Sequence, residues 1–317
     1  KQRKNMNNLK KIGLTALAGS LVVTSAFAGE LTASGSASMG LANISGTADD
    51  SLGKNLTMGN SVYLAGSGEL DNGLTVSLSF ELDDSTDSGT GTGPFDNHYV
   101  EISSDALGTL RLSGHGGASA QSAMDTTAAG DLWNNTLGVN GEAGPTSSAG
   151  DDNLFYTLPS VVDGVAITAS INPRSADNAE TYTAFGVSYT GVEGLTVNYG
   201  QGDSGTRLAE VDSTSMMASY AIGSLTLSVS RTDVDYKNAA TDETWDSYQV
   251  AYTISENISA TYGSETIDTE GTTVDEEVTG FGVSYTTGGM TISASQINAE
   301  GAGNVAAADS DRWSLTA

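Results

Sequence analysis

The sequence of 317 residues has no cysteine and very few basic residues. Without thiols the chain forms no disulfide scaffold, no cysteine-ligated zinc site and no thiol catalyst. Only 12 lysines and arginines stand against 39 aspartates and glutamates, which gives a net charge of −27. A nucleic-acid partner requires a basic surface to meet the phosphates, so this charge balance argues against one.

Long hydrophobic runs are also scarce. Only 38% of the residues are hydrophobic, and beyond residue 28 no run reaches 12 apolar residues. A membrane-spanning helix needs about 20 apolar residues. The composition therefore excludes a bundle of membrane helices. It leaves room for a transmembrane β-barrel, whose strands need apolar side chains only at every second position.

The N-terminus predicts a secretory signal peptide. A basic pair precedes an apolar segment at residues 12–23, and Ala-Phe-Ala at 26–28 has the form of a cleavage site. A membrane anchor fits less well, because the apolar segment is short. We predict that residues 1–28 are an N-terminal extension and signal peptide and that residues 29–317 are the mature domain. Five of the 12 bases precede residue 29, so the mature chain carries −32. Secretion without disulfides fits a Gram-negative cell envelope.

The mature chain alternates apolar and polar residues with a period of two. Leu74, Val76 and Leu78, for example, alternate with threonine and serine. Such alternation is typical of strands with one apolar and one polar face. We predict sixteen strands, at residues 30–42, 56–70, 74–83, 97–103, 109–114, 153–159, 164–171, 181–190, 195–201, 212–221, 225–232, 244–253, 258–265, 278–286, 290–298 and 309–317.

The connections between the predicted strands alternate between short and long. Short ones carry turn residues such as Asp71-Asn72-Gly73. Long ones are predicted near residues 43–55, 84–96, 115–152, 172–180, 202–211, 233–243, 266–277 and 299–308. Outer-membrane barrels have short turns at one end and long loops at the other. We therefore predict an all-β fold, a 16-stranded antiparallel transmembrane β-barrel.

The chain resembles the trimeric general-diffusion porins of alphaproteobacteria. The resemblance lies in MNNLKKIGLTALAGSL at 6–21, in MGNSVYLAGSGELDNGLTVSLSFELDD at 58–84, in the long connection after the fifth strand, and in the closing residues 311–317. Porins of this kind usually end in an aromatic residue, whereas this chain ends at Ala317, so we expect that the last few residues are missing.

The resemblance implies a homotrimer in the cell outer membrane, with a water-filled channel for passive diffusion of small hydrophilic solutes and ions. It also implies that the third outer loop, here about residues 114–152, folds into the lumen. The alanine-rich stretch 118–133 predicts a short helix within that loop. We expect neither enzymatic activity nor a cofactor. His98 and His115 are the only histidines, and no nucleophile elbow accompanies them.

A diffusion pore needs a wet lumen and charges that act across a constriction. The acidic candidates on the long loop, each of which is alternatively a solvated loop charge, are Asp125, Asp131, Glu142, Asp151 and Asp152. The candidates on the lumen wall are Arg111, Arg312, Arg174 and Glu101. Arg111 and Glu101 each lie between two apolar residues, so the alternation turns them inward, where a charge avoids the lipid.

The remaining acids and aromatic residues support further expectations. Because bases are few, we expect the pore to prefer cations. Acidic pairs such as Asp151–Asp152 offer oxygen ligands for Ca²⁺, although none has the spacing of a calcium-binding loop, and solvated charge is the simpler interpretation.

Aromatic girdles at the membrane interfaces are expected to hold Tyr63, Tyr99, Tyr156, Tyr182, Tyr189, Tyr199, Tyr220, Tyr252, Tyr262 and Tyr285.

Two other functions stay open from the sequence. A substrate-specific outer-membrane channel would need an aromatic track along the lumen, which the alternation alone does not establish. A secreted β-rich adhesin or surface protein fits the abundance of glycine, serine, threonine and aspartate. A fixed short repeat would favour the adhesin, and the sequence has none.

Overall fold

The computed structural model describes residues 31–46, 53–83, 96–124, 128, 151–173, 181–206, 209–237 and 241–317. The predicted signal peptide therefore lies outside the described residues. The strands are β1 (Leu31–Gly46), β2 (Gly53–Glu69), β3 (Thr75–Asp83), β4 (His98–Ser104), β5 (Gly108–His115), β6 (Asn153–Thr157), β7 (Val165–Asn172), β8 (Tyr182–Tyr189), β9 (Leu195–Thr206), β10 (Ala209–Ile222), β11 (Leu225–Tyr236), β12 (Glu243–Ser255), β13 (Ile258–Thr269), β14 (Glu276–Thr287), β15 (Met290–Glu300) and β16 (Ser310–Thr316). A short 3-10 helix, Ala302–Asn304, precedes β16.

The strands form one closed barrel. Each strand pairs with its neighbours in sequence, and β1 closes the ring by pairing antiparallel with β16. Closure removes the unpaired sheet edge, which is necessary where lipid offers no hydrogen bonds. The predicted 16-stranded antiparallel barrel is thus confirmed. A closed ring of antiparallel strands is not the architecture expected of a repetitive secreted adhesin, so the fold does not favour that alternative. None of the described helical segments has the length and apolar character that a membrane-spanning helix requires.

Side chains alternate between the two faces of the wall as the sequence predicts. On β5 the exposed Leu110 and Leu112 flank Arg111, and on β4 the exposed Val100 and Ile102 flank Glu101. The charged residues border an internal cavity. The polar face therefore lines the lumen, and the apolar face forms the outer surface of the barrel.

The short connections lie at one end, which we call the lower end. In the turn after β2, the Asn72 Oδ1 accepts a hydrogen bond of 3.2 Å from the Leu74 amide. Gly73 adopts φ 80, the left-handed region that favours glycine, and a Cβ added there would have open space. The backbone conformation, not crowding, therefore accounts for the glycine.

Three of the upper connections, those after β9, β11 and β13, are shorter than predicted. Residues 202–211, predicted as a loop, are almost entirely strand, because β9 extends to Thr206 and β10 begins at Ala209. β11 and β13 likewise extend to Tyr236 and Thr269, four residues beyond their predicted ends. These strands continue beyond the point at which apolar residues stop alternating on the outer face.

The alternation inverts at that level in β11 to β15. We call residues 231–236, 243–246, 264–269, 276–279 and 297–300 the upper section, and the rest of these strands the lower section. On the outer face of β11, Leu227 and Val229 are followed by Arg231, Asp233 and Asp235, all exposed. The outer face thus changes from apolar to charged within one strand.

The inner face changes in the opposite direction. In the lower section it carries serine, threonine and glycine, as at Ser228 and Ser230 of β11. In the upper section it buries an apolar cluster of Val234, Trp245, Ile267, Val278, Ile297, Ala299 and Ala302, and the same face buries Glu265 and Glu276. The upper section therefore resembles a soluble sheet that packs on its inner side.

Candidate functional site

The connection between β5 and β6, residues 116–152, enters the barrel, and we call it the inner loop. Of this loop the structure describes residues 116–124, 128, 151 and 152. The Ala120 amide donates a hydrogen bond of 2.8 Å to Ser170 of β7. The Ala128 amide donates to Ser230 of β11 and Ser247 of β12, both at 3.0 Å. These serines lie on the lumen face, so the loop crosses the interior of the barrel.

The first described part of the inner loop forms a hydrogen-bonded turn. The Ser119 hydroxyl accepts a 2.9 Å bond from the Ser122 amide, and the Ala123 amide donates to the Ser119 carbonyl at 2.9 Å. A serine that bonds the amide three residues later is a common start of a helical turn. Residues 118–124 contain this turn and no longer helix. The rest of the helix predicted at 118–133 lies outside the described residues, apart from Ala128.

A cavity of about 440 Å³ separates the inner loop from strands β2 to β6. Its charged and aromatic lining comprises Tyr63, Glu81, His98, Tyr99, Glu101, Arg111, His115 and Phe155. Gly116, Gly117, Ala118 and Ala123 of the inner loop close the opposite side. We call this space the lumen cavity.

Arg111 is the single arginine or lysine among the described residues that line the lumen cavity. Its Nε and Nη2 contact one oxygen, Oε2, of Glu101 at 2.9 and 2.8 Å. Its guanidinium group lies over the ring of Tyr99, 4.1 Å from the ring centre. Carboxylate pairing and stacking on an aromatic face both suit a planar guanidinium. The contacts fix the arginine against the wall and compensate its charge.

A second carboxylate lies deeper in the wall. Glu81 of β3 is buried, and both of its oxygens accept hydrogen bonds. Tyr63 of β2 donates to Oε1, and Asn97 donates to Oε2 at 2.6 Å. Because these donors are neutral, the pair of contacts stabilises the ionised carboxylate without cancelling its charge.

The two ends of the inner loop meet at His115. Nδ1 of this imidazole lies 3.4 Å from Oδ1 of Asp96, and Nε2 lies 3.6 Å from Oδ1 of Asp151. The loop leaves the wall at His115 and returns at Asp152, which adopts φ 56 in the turn before β6. The imidazole therefore links the beginning and the end of the loop.

The structure brings only some of the predicted site residues together. Arg111 and Glu101 form one pair at the lumen cavity, and Asp151 lies beside His115, which lines the same cavity. Asp152 is exposed in its turn. Asp125, Asp131, Glu142 and Arg174 lie outside the described residues, so their predicted roles stay predictions.

Arg312 faces inward but does not line the lumen cavity. Its register partners are Ile44 of β1 and Ile297 of β15, both buried. Its Nε is buried and has no hydrogen-bond partner among the described residues. This arginine therefore lies against the upper apolar core, apart from the Arg111–Glu101 pair.

Six charged or aromatic residues that line the lumen cavity were not among the predicted site residues: Tyr63, Glu81, His98, Tyr99, His115 and Phe155. The sequence held a signal for three of them. Glu81 lies between Phe80 and Leu82, as Glu101 lies between two apolar residues, so the same alternation points it inward. The alternation also turns Tyr63 and Tyr99 inward, and their assignment to the outer girdles is wrong. Phe155 carries no such polar signal.

The described residues contain no group of three or more histidines, aspartates or glutamates arranged to hold a metal ion. Of the acidic pairs in the sequence, Asp49–Asp50 lies outside the described residues. The calcium hypothesis therefore stays a prediction.

Comparison with known proteins finds one matching family profile and several similar structures. A sequence profile described as Gram-negative porin matches residues 13–265. No curated protein has a matching sequence. A porin structure refined at 1.8 Å is similar with a TM-score of 0.64 and 20% identity, over 90% of this chain and 99% of that chain. The anion-selective porin of Comamonas acidovorans gives 0.66 and 14%, over 90% and 98%.

The outer-membrane protein OmpT of Vibrio cholerae is similar as well, with a TM-score of 0.63 and 16% identity, over 93% of this chain and 99% of that chain. At these identities the structures show the fold alone, and the fold agrees with the profile. Porins are channels, not enzymes. Because the profile covers well over half of the sequence, the chain belongs to the Gram-negative porin family and forms an outer-membrane channel.

Proposed function

We propose that this porin is a general-diffusion pore for small hydrophilic solutes and ions, with a preference for cations. The observation that supports this proposal is the charge of the lumen cavity. Arg111, the single arginine or lysine among the described residues that line the lumen cavity, is paired with Glu101. The carboxylate of Glu81 is therefore left without a lysine or arginine partner among the described lining residues. Fixed charge beside a narrow wet path raises the local concentration of counter-ions.

The test is the reversal potential of the refolded porin in a planar bilayer under a KCl gradient. We expect cations to permeate more readily than anions, and an anion-over-cation permeability ratio above one would remove the proposal. Replacing Glu101→Gln leaves Arg111 uncompensated, so cation preference should fall. The matched control is Asp235→Asn, an exposed acid on the outer face. It removes the same charge and should leave the ratio unchanged.

The proposed assembly is a homotrimer, which the resemblance to alphaproteobacterial general-diffusion porins implies. Conductance steps in groups of three and a cross-linked species of three chains would support it. Single steps together with a monomeric mass in detergent would contradict it.

A second candidate is a substrate-specific channel, favoured by the aromatic rings of Tyr63, Tyr99 and Phe155 on the lumen wall. Sugars stack on such rings. A specific channel would show saturable block of the ion current by one sugar, and Phe155→Ala would weaken that block. A current reduced only in proportion to solute size favours general diffusion.

The proposed pore works without a resident cofactor. Calcium on the acidic loops is a separate hypothesis, which predicts that a chelator lowers the midpoint of thermal unfolding. An unchanged midpoint in excess chelator would contradict it.

A further inference from the structure

The inner loop rests on a strip of small residues that crosses six strands of the lumen face. We call this strip the loop seat, and it consists of Ser170 (β7), Gly186 (β8), Gly200 (β9), Ser213 and Ser215 (β10), Ser230 (β11) and Ser247 (β12). Its hydroxyls either accept from loop amides or bond the side chain of Gln121. The seat therefore fastens the loop by specific polar contacts to one half of the barrel.

Gln121 makes the most complete of these contacts. Its side chain is fully buried, with 0% exposed. Nε2 donates to Ser215 Oγ at 3.0 Å, and Oε1 accepts from Ser213 Oγ at 2.9 Å. Thr232 donates to the same Ser215 oxygen at 2.9 Å. A buried amide whose two ends are both satisfied holds one orientation, because any other position would leave a polar group without a partner.

Two glycines let the loop approach the backbone of the wall. A Cβ added at Gly186 would lie 2.7 Å from the Ala120 carbonyl oxygen and 2.4 Å from Met124 Sδ. A Cβ added at Gly200 would lie 2.9 Å from Gln121 Cγ. Such distances are shorter than van der Waals contact, so any side chain at Gly186 would push the loop backbone into the lumen.

The lumen cavity lies on the other side of the loop, against β2 to β6. The position of the loop therefore decides how much of the lumen is open. We propose that Gln121, held by Ser213 and Ser215, is the positioning residue that sets the calibre of the pore. This inference rests on the proposed diffusion function, because calibre is measured through conduction.

The first test removes the glutamine. In Gln121→Ala two buried hydrogen bonds are lost, which shifts the balance between the seated and released loop on the order of tenfold or more. We expect the uniform single-channel conductance to give way to several levels, with at least a twofold rise in the variance of the open-channel current. The matched control is Gln249→Ala, which replaces a lumen-facing glutamine of β12 that makes no hydrogen bond with the described part of the inner loop.

The second test acts from the wall. Gly186→Val leaves the loop sequence intact and fills the space that Ala120 occupies. We expect a lower mean conductance, because the loop is displaced toward the lumen cavity. Heat-modifiable migration on electrophoresis reports that the barrel of each variant is folded. Folded variants with native conductance and native current variance would overturn the inference.

The primary readout of the third test, chemical cross-linking, does not depend on conduction. The chain has no cysteine, so Gln121→Cys combined with Ser213→Cys supplies the only two thiols. A short bifunctional thiol reagent should cross-link them within one folded chain and restore a single conductance level with low current variance. Failure to cross-link in the folded porin would overturn the seat itself. Efficient cross-linking in a protein that never conducts would leave the seat in place, but it would contradict the proposed pore and with it the role of Gln121 in calibre.

Discussion

The lower and upper sections of β11 to β15 are parts of the same strands, yet their side chains follow opposite rules. In the lower section the outer face is apolar, as at Leu227, and the inner face is polar. In the upper section the outer face is charged, as at Asp233 and Asp235, and the inner face is a packed core. Backbone pairing continues unchanged across the boundary.

The difference shows that the surroundings of each face determine its side chains. Below the boundary the wall separates lipid from a wet lumen, so apolar groups face outward. Above it the outer face meets water, and apolar groups gain by packing inside the barrel. The paired rings of Tyr248 and Tyr262, with centres 6.4 Å apart, lie on the outer face next to the boundary. Their position is typical of an interfacial aromatic girdle.

The largest expected effect comes from the inner face of the upper section. Ile267 is fully buried, with 0% exposed, and Ile267→Ala should lower the free energy of unfolding by about 2–5 kcal/mol, because it leaves a cavity in a packed core. The measurement is urea unfolding in lipid vesicles. The matched control is Thr261→Ala, on the same face of the same strand in the lower section, which should cost less than about 0.5 kcal/mol. Equal losses at the two positions would mean that the upper interior is not a packed core.

The outer face gives the second effect. Leu227→Arg places a charge against lipid, which costs about 2–4 kcal/mol near the membrane midplane and less toward the interfaces. Asp235→Arg, on the same face of the same strand above the boundary, should change the free energy of unfolding by less than about 0.5 kcal/mol. Vesicle refolding yields and urea unfolding report both changes. A large loss at Asp235 would show that the membrane extends higher than the inversion indicates.

The inversion also explains what sequence reasoning could recover. All sixteen strands were predicted, because apolar alternation and lower-end turn residues are local signals. β11 was predicted to end at residue 232, since the outward apolar series stops at Val229, but hydrogen bonding continues to Tyr236. Beyond that point the residues still alternate, but polar side chains face outward and apolar side chains face inward. A search for outward apolar residues alone therefore ends too early.

The site shows the same division between local and distant signals. The inward orientation of Arg111 and Glu101 follows from neighbouring residues, and Glu81 was recoverable by the same argument. The contact of Gln121 with Ser213 and Ser215 joins residues more than ninety positions apart. It depends on closure of the barrel and on the path of the loop across the lumen. No local pattern around Gln121 indicates that path.

The smallest effect concerns the charged outer rim of the upper end. Lys237 directly follows β11, and its Nζ lies 2.7 Å from Glu210 Oε1 and 3.0 Å from Asp212 Oδ2. Hydrogen bonding to Glu210, and then to Asp212, raises the pKa of Lys237. A raised pKa in the folded state means that the stabilising contribution is complete below the ordinary pKa of a lysine. That contribution is lost as the pH rises through the folded value.

At pH 10 the amine of Lys237 should therefore be acylated more slowly in the folded porin than in the double variant Glu210→Gln/Asp212→Asn, because only the neutral amine reacts. Mass spectrometry of the labelled peptides measures the rate, and Lys54, the one other lysine after residue 28, serves as the internal reference. The ratio of Lys237 to Lys54 labelling should rise severalfold in the variant. An unchanged ratio would show that the two carboxylates do not hold the ammonium in solution. The charges at the upper ends of β10 and β11 would then be solvated rather than paired.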